Sequence, residues 1–161
     1  MEVGAPRLED RLGPNEPPYK SRGEAQVGRL LDRYGIPFLY ESALVLRDRG
    51  SCRTWHPDFT LPSYGGLVVE YAGMPDRPDY MAGIVRKQAA YRRNDIPALF
   101  LYPRDLTGPT WPQMVVNKVV AAYQRAGSTC DRIGYRFSHR FSRPPTHLQS
   151  YSRRRVRYGP N

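Results

Sequence analysis

The sequence has little cysteine, little lysine and no long apolar run. The two cysteines, Cys52 and Cys130, do not form a CxxC pair, so neither a zinc site nor a disulfide framework is indicated. This cysteine content fits a reducing compartment. No apolar run approaches the ~20 residues of a membrane span, and the first 20 residues lack the apolar segment of a secretory signal. We therefore expect a cytoplasmic protein that has no membrane partner.

Acidic residues are also scarce relative to basic ones. The chain has 25 Lys+Arg against 15 Asp+Glu, which gives a formal net charge of +10. Only Lys20, Lys87 and Lys118 are lysines, so arginine supplies most of the positive charge. The planar guanidinium group binds phosphate through two hydrogen bonds. A basic, arginine-rich chain therefore favours a nucleic-acid partner, although solubility alone is the alternative explanation.

The 161 residues suit one domain. Residues 1–20 are rich in proline and glycine and are expected to form a flexible arm. Residues 21–134 hold the periodic apolar patterns and are expected to form the folded domain. Residues 135–161 contain seven arginines and no acid, so we expect a mobile basic tail that contacts phosphates. Its strongest candidates for phosphate contact are Arg153, Arg154 and Arg155.

The apolar periodicity predicts an α/β fold. In chain order we expect a helix over 23–35, strands over 38–48, 52–61 and 66–73, a helix over 80–95, a strand over 97–103 and a C-terminal helix. Ser21 is expected to cap the first helix and Gly35 to end it, and Asp79 is expected to cap the second. The C-terminal helix is expected to be capped by Thr110 and ended by Gly127. The first three strands are expected to form an antiparallel meander. The second helix then returns the chain so that the fourth strand pairs in parallel, giving a mixed four-stranded sheet.

Two of the predicted strands each carry one acid. In "TWHPDFTL", the period of two places Thr54, His56, Asp58 and Thr60 on one face, and in "LVVEYAG" Glu70 lies in an apolar run. The turn between these strands allows Asp58 and Glu70 to lie side by side. Adjacent, half-buried carboxylates repel each other and lose hydration, unless a cation lies between them. Mg²⁺ accepts such ligands, so the pair indicates a metal site; acids exposed at the strand ends or paired with arginines are the alternative.

Two further charged residues lie on helix faces that should meet the sheet. Lys87 shares a stripe with Tyr80, Ile84 and Tyr91 at helical spacing. A lysine on that side needs an acidic partner, unless its ammonium group reaches solvent along the helix. Glu24 lies on the inner face of the first helix, where it either forms a capping box with Ser21 or belongs to a site, and one role does not exclude the other.

The order of these residues resembles the PD-(D/E)xK nuclease superfamily. Glu24 matches the first-helix acid, Pro57-Asp58 matches the "PD", and Glu70 matches the "(D/E)". The sequence departs from the motif where Glu70-Tyr71-Ala72 lacks the usual lysine. It is similar to branches in which that lysine has moved to the following helix, where Lys87 stands. The resemblance covers about residues 20–105 and implies a restriction-endonuclease-like αβββαβ core.

The resemblance also implies roles for these residues. Asp58, Glu70 and the backbone carbonyl of Tyr71 would bind Mg²⁺, or Mn²⁺ in its place. Lys87 would orient the attacking water or neutralise developing charge, and Glu24 would assist through a second metal site or a held water. The residues expected to contact substrate are His56, Gln88, Tyr91, Arg92 and Arg93.

Three functions follow as alternatives from the sequence. The first is a metal-dependent endonuclease or nickase acting on DNA. The second is a nucleic-acid-binding module with the same fold and an inactive site, which the absent strand lysine favours. The third is a basic α/β protein that binds RNA. For a nuclease domain of this kind, a homodimer or a helicase or recombinase partner is also expected.

Overall fold

The computed structural model describes residues 16–132. Three helices and six strands follow one another as α1 (Arg22–Arg33), β1 (Leu39–Tyr40), β2 (Leu44–Asp48), β3 (Ser51–Trp55), β4 (Phe59–Leu61), β5 (Leu67–Tyr71), α2 (Pro78–Arg93), β6 (Ala98–Leu101) and α3 (Trp111–Arg132). The central sheet has the order β1-β4-β5-β6, antiparallel except for the parallel pair β5–β6. The expected α/β class, mixed four-stranded sheet and C-terminal helix are therefore confirmed. No helix in this part of the chain is long and apolar enough to cross a membrane.

The first two predicted strands are each broken in the middle. Strand 38–48 divides into β1 and β2 at Glu41, whose φ of 46° lies in the left-handed region, and strand 52–61 divides into β3 and β4 at 56–58. The two breaks lie opposite each other. The Glu41 N–H donates to the Asp58 carbonyl, and the Glu41 carbonyl lies 3.0 Å from His56 Nδ1. Beyond this bend the chain continues as a separate β2–β3 hairpin, so the expectation of one continuous strand face from Thr54 to Thr60 was wrong.

The central sheet is buried on both faces. Leu67 and Val69 of β5 belong to the larger apolar core, which α1 and α3 complete. Val68 of β5 belongs to a smaller cluster with Ala90 and Tyr91 of α2 and with the hairpin. Alternate residues of one strand thus point to opposite layers, as a period of two requires. The result is a three-layer domain with α2 and the hairpin on one face and α1 and α3 on the other.

Local chemistry explains where the helices begin and end. Ser21 caps α1 by accepting a hydrogen bond from the Glu24 N–H, and Gly35 at a φ of 62° ends it, both as predicted. The predicted N-cap of α2, Asp79, was wrong by two residues. Arg77 is the N-cap and Pro78 occupies the first turn, which suits a residue without an N–H, so Asp79 lies inside the helix.

The C-terminal helix begins at Trp111, directly after Thr110, but it does not end at Gly127. It continues to Arg132. A single glycine costs a helix only about 1 kcal/mol relative to alanine, so it does not by itself stop a helix that is otherwise well packed.

The segment 16–20, which was expected to belong to the N-terminal arm, packs against the domain. The Tyr19 side chain is only 4% exposed and its ring meets Tyr40 edge-on with centroids 5.0 Å apart. Glu16 pairs with Arg29 of α1. The packed domain therefore includes these residues, and the remainder of the predicted arm, 1–15, lies outside the described residues.

Gly28 permits the close contact between α1 and Tyr19. A Cβ at this position would lie 2.1 Å from the Tyr19 hydroxyl oxygen. We expect Gly28→Ala to reduce the free energy of unfolding by about 1–3 kcal/mol, because the enclosed ring has little room to move. Gly83→Ala is the matched control, since a Cβ there meets no atom within 4 Å. Glycine is the poorer helix former, so Gly83→Ala should add about 0.5–1 kcal/mol. Urea denaturation of both variants tests the contact, and equal stability would contradict it.

Candidate active site

Glu70 lies in β5, and Asp58 directly precedes β4, the strand that pairs antiparallel with β5. Phe59 pairs with Val69, so the position before Phe59 and the position after Val69 are neighbours. The Tyr71 N–H donates to Asp58 Oδ2 at 2.7 Å, which fixes the aspartate side chain against β5. No described residue donates a hydrogen bond to the other carboxylate oxygen of Asp58. One oxygen of Asp58 is therefore held by the backbone, and the other is available to a ligand.

Glu70 is a buried acid with two donors from α2. Its side chain is 2% exposed, Lys87 Nζ donates to Oε2 at 2.7 Å, and the Tyr91 hydroxyl donates to Oε1 at 2.5 Å. Burial, followed by the negative charge of Glu70, raises the pKa of Tyr91. The helix stripe read from the sequence does face the sheet, and it brings Lys87 to the acid as the spacing indicated.

The site carries more negative than positive charge. Burial and then the charges of Glu70 and Glu24 raise the pKa of Asp58 to about 7, and Lys87 offsets this only in part. The three carboxylates therefore outnumber the two ammonium groups near them, that of Lys87 and that of the exposed Lys20, which also interacts with Asp58 and Glu24. Because burial and neighbouring acids together make Asp58 keep its proton to neutral pH, a bound cation would stabilise its charged form.

The raised pKa of Asp58 predicts how stability depends on pH in chelator. The folded protein keeps this proton up to about pH 7, whereas the unfolded chain releases it near 3.8. The folded state therefore binds more protons between these values, and its stability should fall as pH rises through that window, by at most about 4 kcal/mol. Asp58→Asn should lose this dependence and unfold at higher temperature than wild type at pH 8. Thermal unfolding at pH 4.5, 6 and 8 measures the difference in Tm between the two proteins. If the two Tm values change with pH in parallel, the pKa of Asp58 is not raised.

Glu24 connects α1 to the edge of the sheet. Its Oε1 accepts from the Ser21 hydroxyl at 2.8 Å, and its Oε2 accepts from the Tyr40 hydroxyl at 2.6 Å and the Lys20 N–H at 3.2 Å. Burial and this hydrogen bond raise the pKa of Tyr40. Only half of the predicted capping box forms, because Ser21 accepts from the Glu24 N–H but the Glu24 carboxylate accepts from the Ser21 hydroxyl and the Lys20 N–H rather than from the Ser21 N–H. Glu24 also adds to the negative potential at Asp58. Its predicted part in a second metal site, or in holding a water molecule, stays a prediction.

The backbone carbonyl of Tyr71 faces a tyrosine that the sequence analysis did not select. The Tyr80 hydroxyl donates to this carbonyl at 3.4 Å and accepts from the Gly73 N–H at 3.2 Å. Burial, together with the charges of Asp58 and Glu70, raises the pKa of Tyr80. The signal was present in the sequence, because Tyr80 lies on the same stripe of α2 as Lys87. Its role as a carbonyl partner depends on the loop 72–77, whose path the sequence pattern does not specify.

The remaining predicted substrate contacts lie around the site rather than in it. His56 is exposed and bound to the Glu41 carbonyl, so it stabilises the bend. Gln88 and Arg92 are exposed on α2, and Arg93 pairs with Asp48 of the hairpin at 3.2 Å. The tail arginines Arg153, Arg154 and Arg155 lie outside the described residues.

A divalent cation fits a limited set of ligands at this site. Residues 16–132 contain no group of three or more His, Cys, Asp or Glu side chains that could hold a metal. The available set is Asp58, Glu70 and the Tyr71 carbonyl, with water completing the coordination shell as Mg²⁺ commonly requires. The unengaged oxygen of Asp58 and the excess negative charge fit such an ion. Glu70 fits it by sharing Oε2, because a carboxylate oxygen has a second lone pair.

Comparisons of this chain with models of known protein families, with curated proteins and with solved structures find no match. The site's geometry and charge must therefore carry the functional argument.

Proposed function

We propose that this protein is a metal-dependent nuclease of the PD-(D/E)xK type that hydrolyses phosphodiester bonds in DNA. The observation that carries the proposal is the convergence of Asp58, Glu70 and Lys87 from three different elements, with an excess of negative charge around them. This arrangement resembles the triad of the PD-(D/E)xK motif, with the lysine supplied by the helix. The fold class, a mixed sheet between helix layers, is compatible with the proposal.

Ala72 explains why the lysine comes from α2. Ala72 occupies the position of the usual motif lysine, and its side chain is completely buried. A lysine there would have to place its ammonium group in a packed interior. Lys87 instead reaches Glu70 from the facing helix while about a third of its side chain remains exposed. It can therefore serve both the buried acid and a substrate that approaches from solvent.

Each residue would have a distinct task in the reaction. Asp58 and Glu70, with the Tyr71 carbonyl, would hold Mg²⁺ or Mn²⁺, and when bound such an ion supplies Lewis-acid activation of the phosphate and of a water molecule. Lys87 would neutralise charge that develops on the phosphate or orient the attacking water. Tyr91 holds Glu70 in place through its other oxygen, and Tyr80 orients the carbonyl of Tyr71.

A nucleic-acid-binding module with an inactive site is the second candidate. The engagement of both Glu70 oxygens by Lys87 and Tyr91 favours it, because a carboxylate already neutralised by a lysine attracts a cation less strongly. The basic composition of the chain supports nucleic-acid binding equally in both cases.

One set of reactions distinguishes the candidates. Purified full-length protein is incubated with supercoiled plasmid, linear duplex DNA, single-stranded DNA and structured RNA, each in Mg²⁺, in Mn²⁺ and in EDTA. DNA cleavage with metal and none in EDTA is the expected result. Gel retardation without cleavage would support the inactive module. A preference for structured RNA with no effect of metal would support the third alternative, a basic RNA-binding protein.

A further inference from the structure

An open groove lies between the tip of the β2–β3 hairpin and the outer side of α2. Its volume is about 670 Å³. The hairpin and the helix supply its lining, which consists of Arg47, Arg49, Gly50, Ala82, Val85, Arg86, Ala89 and Arg93. Four of these eight residues are arginines, and none is acidic.

The groove has an uncompensated positive charge. Arg86 and Arg93 both donate to Asp48, whose side chain is fully buried beneath them. Arg47 and Arg49 form no ion pair with a described acid. Four arginines against one aspartate therefore leave three positive charges facing solvent. An anionic ligand with several charges would complement them.

The Arg86 and Arg93 side chains, and the backbone of Arg47, are held in position before any ligand arrives. Arg86 lowers the pKa of Asp48, so the carboxylate that orients two guanidinium groups stays ionised. The Asn94 side chain accepts from the Arg47 N–H and donates to its carbonyl, each at 2.8 Å. Arg49 and Gly50 form a tight turn with φ values of 50° and 80°. This preorganisation reduces the entropy lost when a ligand binds.

The dimensions of the groove suit an extended chain. Along α2 it runs from Ala82 to Arg93, about 16 Å at 1.5 Å per residue. Gly50, Ala82 and Ala89 leave its floor without long side chains, so a ligand can approach the protein backbone. The repeated charge and the length of the groove together favour a linear polyanion over a single phosphate group.

We propose that this groove binds the sugar–phosphate backbone of a DNA strand at a point separate from the carboxylate site. The inference rests on the proposed function only in taking DNA as the ligand. Arg86 and Lys87 are consecutive residues, but Arg86 lines the groove while Lys87 reaches Glu70. Helix α2 therefore lies between the two sites, and one nucleic-acid molecule that passes the helix contacts both. The groove supplies affinity that does not depend on metal.

The experiment measures DNA binding in EDTA with the full chain carrying Arg47→Gln and Arg49→Asn. The ion pairs of Asp48 are with Arg86 and Arg93 and stay in place, and Asn-Gly is a favoured pair for the tight turn, so the hairpin is retained. The matched control is Arg33→Gln with Arg104→Gln, which removes the same charge from exposed positions outside the groove. Fluorescence anisotropy with 20-nucleotide single-stranded and duplex DNA is recorded from 50 to 300 mM salt.

The groove variant should bind DNA roughly 10- to 50-fold more weakly than wild type at 0.1 M salt, and its log–log salt slope should be smaller by about 1.5–2. The DNA affinity and the salt slope of the control variant should change much less. Equal losses in both variants, or no loss in either, would overturn the inference. The inference would also be overturned if the groove variant lost binding to anionic phosphatidylserine vesicles while its DNA binding stayed unchanged. Because the assay contains no metal, a protein that never cuts DNA would disprove the nuclease and leave this result standing.

Discussion

Asp58→Asn is expected to reduce metal-dependent DNA cleavage by roughly 10³-fold or more, equivalent to about 4 kcal/mol of transition-state stabilisation. The amide oxygen can still accept from the Tyr71 N–H, so the side chain should stay in place. What the variant loses is the negative charge on the oxygen that no described residue engages. Initial rates of plasmid nicking in Mg²⁺ measure the effect.

The control for this variant is Asp95→Asn. Asp95 is exposed and has a φ of 52°, a conformation that asparagine adopts readily. The Asp95→Asn substitution makes the same chemical change away from the site and should leave the rate of cleavage unchanged. Wild-type nicking by Asp58→Asn would falsify the assignment of this carboxylate. Glu70→Gln should be comparably inactive, because it removes the second carboxylate of the pair.

Lys87→Met is expected to lower cleavage by about 10²-fold or more and also to destabilise the protein in chelator. Methionine keeps the packing of the aliphatic stem but leaves the buried Glu70 with Tyr91 as its one side-chain donor among residues 16–132. Breaking a buried ion pair costs about 3–5 kcal/mol, and the partial exposure of Lys87 reduces this to about 1–3 kcal/mol. The double variant Lys87→Met/Glu70→Gln should recover much of the lost stability and none of the activity.

Lys118→Met provides a closely matched comparison. Lys118 on α3 donates to the buried Asp105 at 2.7 Å, and its side chain is 41% exposed against 36% for Lys87. Both substitutions should therefore cost similar stability, but only Lys87→Met should affect nicking. If the two variants lose cleavage in parallel, the loss reflects unfolding, and the catalytic role assigned to Lys87 is wrong.

The elements that sequence reasoning located best are those with strong local signals. The Ser21 cap, the Gly35 stop and the apolar run of β5 depend on chemistry within a few residues. Lys87 was found in the same way, because helical periodicity fixes which side of α2 it occupies. The convergence with Glu70 then follows from a parallel crossover, which places the helix over the sheet.

The bend at Glu41 was missed because nothing local requires it. Glutamate rarely adopts a positive φ, and the contacts that stabilise Glu41 come from residues distant in the chain: His56 and Asp58 bind its backbone, and Lys20 binds its carboxylate. The arginine groove was missed for the same reason. Its two walls come from segments almost 40 residues apart, and only the bend brings the hairpin onto α2.

The two ion-pair systems on α2 have a joint mechanical consequence. Glu70 binds Lys87 and Tyr91 on the sheet side, while Asp48 binds Arg86 and Arg93 on the hairpin side. Because a buried acid binds α2 on each of two sides, the helix is restrained against rotation about its long axis. The position of the Lys87 ammonium group therefore depends on the length of the hairpin, and inserting or deleting residues in the hairpin would shift the lysine.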